Sequence, residues 1–183
     1  MAISKIGSNA TGFASGLDIS DGDITVASGH GISFAATSDA TDMSSELLDD
    51  YEEGTFTFGV NANTTVNSGS NVGKYTKIGN MVHVQAMMDM SGVSGTNLVS
   101  FNSLPFTAKA NTSGAYDGNS FGTVSLYNVN FDDDANYTIG IIAAGSNQVI
   151  VYHIKDNANW NIMNNGELTS SAEIGLALTY IVA

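Results

Sequence analysis

The sequence predicts an all-β fold: an antiparallel β-sandwich, jelly-roll-like, carried on an extended N-terminal arm with a short helical turn between the two. Three observations lead there. From Thr55 onward apolar and polar residues alternate with a period of two, the spacing of strands with one buried face. These runs follow one another at short intervals, separated by Gly, Asn, Asp and Ser and by no helical stretch. Residues 1–42 are different: rich in Gly, Ser, Ala, Thr and Asp, they hold only the brief apolar beats "LDIS", "DITVAS" and "GISFAA".

The arm, residues 1–42, is too poor in apolar side chains to bury a core of its own. A disordered tail fits such a composition, and so does an extended arm whose beats add to neighbouring copies of the chain. The β-branched "DITV" and the aromatic in "GISFAA" favour the arm.

Residues 43–54, "MSSELLDDYEEG", form an acidic junction, and "MSSELLDDYEE" is the stretch that reads as helical. Ser44 or Ser45 is placed to cap it, Glu46 and Asp49 lie toward the end that favours negative charge, and Gly54 stops it.

The knob, residues 55–183, opens on a hairpin. In "KYTKIGNMVHVQAMMDM" two β-rich runs flank Gly79-Asn80, a dipeptide suited to a two-residue turn. On the second run Val82, Val84, Ala86, Met88 and Met90 share the core face, and Met81, His83, Gln85, Met87 and Asp89 the other. The strands "GTVSLYNVNF", "NYTIGIIAA", "NQVIVYHIK" and "AEIGLALTYIVA" follow. In the last of them Ile174, Leu176, Leu178, Tyr180 and Val182 line one side.

Composition narrows the function. The 183 residues suit one main domain plus an arm. Eighteen acidic residues stand against five lysines and no arginine, a formal charge of −13. Nucleic acid and anionic membrane surfaces are disfavoured as partners, since both need clustered cations on the protein. No apolar run approaches the ~20 residues of a membrane span, and nothing marks the chain for export. Cysteine is absent, which removes disulfides, thiolate metal sites and thiol nucleophiles.

No catalytic, cofactor-binding or metal-binding residue is assigned. The carboxylates Glu46, Asp49, Asp50, Glu52 and Glu53 are crowded in sequence, but a glycosidase pair needs a set separation across a cleft, and a charge run reads better as a solvated face. Asp18, Asp21 and Asp23, and Asp132, Asp133 and Asp134, offer oxygens to calcium, yet neither group has the spacing of a calcium loop and both read as turns. His83 and His153 alternate with apolar neighbours and are expected at an edge or on the outer face; His30 lies in a Gly turn, and a zinc triad needs all three together. Trp160, with Tyr51, Tyr116 and Tyr127, could stack on a sugar, against the plainer expectation that Trp160 plugs one end of the sandwich. Trp160 and Tyr116 are the candidate ligand contacts.

The stretch "LLDDYEEGTFTF", followed by "GKYTKIGN" and "LPF", resembles a module of tailed-bacteriophage virion proteins, particularly marine ones, usually described as tail fibres or other surface appendages. The family's stretch reads much like "LLDDYEEGTWTP", then a "GxYTKIGN" hairpin and a "GLPF" turn. Phe56 replaces the usual Trp, Phe58 stands where Pro is common and Ser103 where Gly is frequent. The match is good over residues 32–108. It implies a homotrimeric, fibre-like assembly on the virion surface, with residues 1–42 attached to other virion proteins of capsid or tail and the knob displayed. Head fibre, capsid decoration and short tail fibre are all open, with a tail-fibre tip that binds a host receptor or glycan as the alternative, and no enzyme activity or cofactor is implied. Leu47, Leu48, Tyr51 and Phe56 are then the expected junction and oligomer contacts, with Leu47, Leu48 and Tyr51 packed inward and the carboxylates facing water.

Overall fold

The computed structural model describes residues 25–27, 30–33, 47–48, 50–60, 63–113, 115–130 and 135–183. Most of the arm therefore lies outside the described residues, as do Ser44, Ser45, Glu46 and Asp49 of the expected helix and both aspartate groups weighed for calcium. Among the described residues no helix is long and apolar enough to cross a membrane.

The chain is all-β and antiparallel. Two short strands, β1 (Ile32–Ser33) and β2 (Leu47–Leu48), pair with each other as a separate ribbon. The knob consists of β3 (Tyr51–Thr57), β4 (Gly59–Val60), β5 (Thr64–Val66), β6 (Val72–Ile78), β7 (Met81–Val93), β8 (Ser100–Asn102), β9 (Ser120–Val129), β10 (Ala135–Ile142), β11 (Val149–Lys155), β12 (Asn161–Ile162) and β13 (Leu168–Ile181). The expected helical turn is not formed where the chain is described: Leu47–Leu48 and Tyr51–Thr57 are strands, and Gly54 sits inside β3. Pairing of all seven β3 residues with β6 overrides the weak helical preference of Leu and Glu.

The strands follow the path β3-β6-β7-β13-β9-β10-β11-β8-β4, with β5 beside β7 and β12 beside β11. Its two ends, β3 and β4, are separated in sequence only by Phe58, so one stretch of chain, residues 51–60, borders both ends and curls the sheet nearly into a barrel. Within the path, β9, β10 and β11 are consecutive neighbours and β13 returns beside β9, a Greek key. That is the element it shares with the jelly roll suggested by the sequence.

The hairpin forms as the sequence predicts. Gly79 has φ +57 and Asn80 does not share the positive sign, which is the turn with Gly in first position. The expected core face of β7 is inward, with Val82, Val84, Met88 and Met90 buried and Ala86 half-buried, while Met81, His83, Gln85 and Met87 are exposed. Ile174, Leu176, Leu178, Tyr180 and Val182 are all buried as well. They meet Val124, Val149, Val151, Phe58 and Phe101 in one core, each such side chain contributing roughly 1.5–3 kcal/mol.

Tyr180 ties that core to a loop. Its hydroxyl donates to the Phe106 carbonyl (3.1 Å) and accepts from the Phe106 N–H (3.3 Å). Burial pushes the hydroxyl up from 10.0 to about 12, against the opposing pull of the Phe106 bond. The folded chain thus holds this proton more tightly than the unfolded one, so the stability it supplies is complete below pH 10 and declines as pH rises from 10 toward 12. Urea melts over that window are expected to show a loss of about 2–3 kcal/mol in the native chain that Tyr180→Phe lacks. An equal slope in the variant would assign the loss to other groups.

Candidate functional site

The three sequence blocks, far apart in the chain, converge on one joint where the ribbon enters the knob. Lys77 is at its centre: the buried ammonium pairs with Asp50 and lies over the Phe106 ring, 5.7 Å from its centroid. One residue from each block therefore meets at a single cation. The backbone repeats the connection, because the Gly79 N–H donates to the Asp50 carbonyl at 2.7 Å.

Around this cation, glycines and aromatics interlock. Gly54 is paired with Tyr75 and Phe56 with Gly73. A Cβ on Gly73 would lie 2.5 Å from the Phe56 ring, and one on Gly54 3.1 Å from the Tyr75 ring, so each glycine is the seat of the aromatic opposite it. Phe56 also leans on Phe58, at 6.3 Å, and on Tyr75, at 6.4 Å, while Tyr75 meets Phe106 edge-on at 5.5 Å. Aromatic pairs of this kind contribute about 0.5–1.5 kcal/mol each beyond their burial.

The carboxylates of the acidic run are engaged in the same joint. Glu52 accepts from the Tyr75 hydroxyl, and Glu53 from that of Tyr51 at 3.0 Å. Each hydroxyl is held above its ordinary range, mainly because ionising it would sacrifice that hydrogen bond to a carboxylate.

Of the expected junction residues, Phe56 is half-buried and seated as described. Tyr51 and Leu48 do not pack inward: in the single chain Tyr51 is 63% exposed and Leu48 38%. The reason is strand geometry. Tyr51 alternates with Glu52, and it is position 52 that shares a face with Lys77 and the core, leaving position 51 outside. Leu47 lies in β2, its side chain outside the described residues.

The two candidate ligand contacts are separated. Tyr116, 82% exposed, sits on a loop bound to the arm end of the knob, where the Gly145 N–H donates to the Lys109 carbonyl and the Lys109 N–H to the Ile181 carbonyl. The loop is stapled by Asp117, which accepts from Lys109 Nζ and from the Thr112 N–H and hydroxyl, each at 2.8 Å. Lys109 foremost, with Thr112, holds the Asp117 carboxyl well below the usual carboxylate range. Trp160 precedes β12, which pairs with the part of β11 leading away from the arm end. It lies in a connecting loop, 51% exposed and edge-on to Tyr152 at 6.4 Å, so it is not enclosed as a plug at the end of the sandwich would be.

His153 is also placed differently from expectation. It is buried, on the inward face of β11 with Val149 and Val151, and its Nδ1 faces Glu167 Oε1 at 2.9 Å. Glu167 in turn accepts from the Asn164 N–H (2.8 Å) and side-chain amide (3.0 Å), and Asn165 donates to Thr64 and to the Ser94 carbonyl. This polar cluster closes the end of the knob away from the arm. His83 is exposed, bonded to the Thr179 hydroxyl at 3.0 Å, and His30 is exposed in a turn. Among the described residues no group of three His, Asp or Glu is arranged to hold a metal ion.

No family model and no curated protein sequence matches the chain. Its fold is similar to part of a solved structure, the crystal structure of Dettilon tailspike protein (gp208), with a TM-score of 0.58 and 14% identity. The likeness covers 72% of this chain and 24% of that one, so it spans about a quarter of the tailspike, and it is a likeness of fold.

Proposed function

We propose that this chain is a structural, non-enzymatic component of a tailed-phage virion: a homotrimeric surface appendage anchored through residues 1–42, with the β knob facing outward. Capsid decoration, head fibre and short tail fibre all agree with this reading. The observation that carries it is the joint itself. The blocks "DDYEEGTF", "GKYTKIGN" and "LPF", which resemble a phage appendage module, come together to fasten the incoming chain to the knob at Lys77. The fold likeness to a tailspike segment points the same way. The non-enzymatic reading is supported by the state of the described carboxylates in the acidic run, each bonded to a neighbouring tyrosine or lysine.

Cryo-electron microscopy of virions from the encoding genome, with native mass spectrometry of the isolated chain, tests this reading. Threefold density of the knob on the particle surface and a mass of three chains are expected; absence of the chain from purified particles would end the proposal. A second reading, a tip that binds host glycan, is favoured by the exposure of Trp160 at the end of the knob away from the arm. It requires host-cell binding that Trp160→Ala abolishes.

A further inference from the structure

On β10 the buried Gly140 and Ile142 point to the core, where a Cβ on Gly140 would meet Val149, Val124 and Leu176, so Tyr137, Ile139 and Ile141 point outward. Strand register sets their neighbours beside them. Phe121, Ile141, Ile150 and Ser100 form one row across four strands. Thr123, Ile139, Tyr152 and Ile162 form the next. Beyond it, Tyr137 stands opposite Ile154. Of these ten residues eight are large and aliphatic or aromatic, and none is charged, in a chain with 18 acidic residues and 5 lysines. In the single chain Phe121 and Tyr137 are 51% and 63% exposed and the five isoleucines are half-buried, so this face of the sheet has no layer of its own chain packed over it. Three rows ~6.8 Å apart on four strands ~4.8 Å apart give it roughly 400 Å², a size at which an apolar patch is commonly an interaction site.

Charge and width identify the occupant. Two copies at −13 each repel wherever their carboxylates are brought together. The outer face of β3, β6, β7 and β13 would do that, since Glu53, Asp89 and Glu173 stand on it against Lys74. The face of β9-β10-β11 brings no charge to the contact, and a flat row of isoleucines fits another sheet face of the same kind, packed ~10 Å away. Its width suits three copies. Four strands ~4.8 Å apart span ~19 Å, and three faces of that width closed about one axis leave the axis ~5.5 Å from each sheet. That is about half the ~10 Å between packed sheets, the depth that isoleucine, tyrosine and phenylalanine side chains fill.

We propose that the outer face of β9-β10-β11 is the surface through which copies of this chain pack on one another, sheet against sheet about the axis of the trimer, with Ile139, Ile141, Ile150 and Tyr152 at its centre. Burial of these side chains against their counterparts supplies the hydrophobic gain that offsets the mutual repulsion of the acidic chains. The inference rests on the oligomeric reading above and assigns it a surface.

The test uses the full-length chain in analytical ultracentrifugation. Ile139→Glu and Ile150→Glu are expected to weaken assembly by about tenfold or more with unchanged circular dichroism, because each would bury a carboxylate without a partner in the assembled state. Met87→Glu adds the same charge at an exposed position on β7 and should leave assembly intact. In the otherwise native chain, a photo-cross-linker at position 141 should capture residues 120–154 of another copy. Oligomers that persist in either Ile139→Glu or Ile150→Glu, or cross-links confined to other segments, would overturn this surface while leaving the oligomeric reading in place. A native chain that sediments as a monomer would overturn both.

Discussion

Gly122→Ala is expected to lower the melting temperature by roughly 6–12 °C, the equivalent of about 3 kcal/mol in a domain of this size. Gly122 lies opposite Leu178 on the paired strands β9 and β13. A Cβ there would stand 2.0 Å from Leu178 Cβ and 2.9 Å from the Ala177 carbonyl oxygen. Backbone and Cβ atoms cannot step aside as the far end of a side chain can, so the two central strands must separate. Gly175→Ala, on the outer face of the same strand pair, is the control: its nearest neighbour would be Ser125 Cβ at 3.5 Å, an ordinary contact. A thermal melt in which the two variants behave alike would refute the close approach of β9 and β13.

Glu167→Ala is expected to cost about 3–5 kcal/mol, because it leaves His153 and the two Asn164 N–H groups without their acceptor at roughly 1–3 kcal/mol each. The carboxylate serves two groups at once: Oε1 faces His153 Nδ1, and Oε2 accepts the backbone and side-chain N–H of Asn164. Truncation removes both roles in a place water does not reach. Glu167→Gln keeps an oxygen for Asn164 and is expected to lose clearly less. Urea denaturation of the three chains side by side checks this, and equal stability of Glu167→Ala and the native chain would mean that the cluster contributes nothing.

What the sequence conveys depends on how local the physics is. The Gly79-Asn80 hairpin and the inward faces of β7 and β13 are set by a two-residue turn and a strict alternation, and both are legible. His153 is not, because β11 is apolar on both faces: Ile150, Tyr152 and Ile154 alternate with Val149, Val151 and His153, and period two alone cannot say which set turns inward. Its partner Glu167 comes from a connecting segment whose approach depends on the whole path of the sheet. Residues 47–53 mislead for a related reason. Leu47, Leu48 and Tyr51 have helical spacing, whereas what makes 51–57 a strand is its pairing with β6, and its Gly54 makes sense only once Tyr75 is seen resting on it. The joint was visible as three blocks of sequence; that they share one lysine was not. Trp160 shows that a large aromatic in a polar loop need not follow its size into the interior.

The strand that begins at Tyr51 also determines how the molecule bears a pull. A pull applied along the axis of β3 acts at right angles to the hydrogen bonds that join it to β6. Seven residue pairs are then sheared together instead of being unzipped one after another. A seam loaded in this way yields only when all of it gives, so β3 resists such a pull better than a strand peeled from one end.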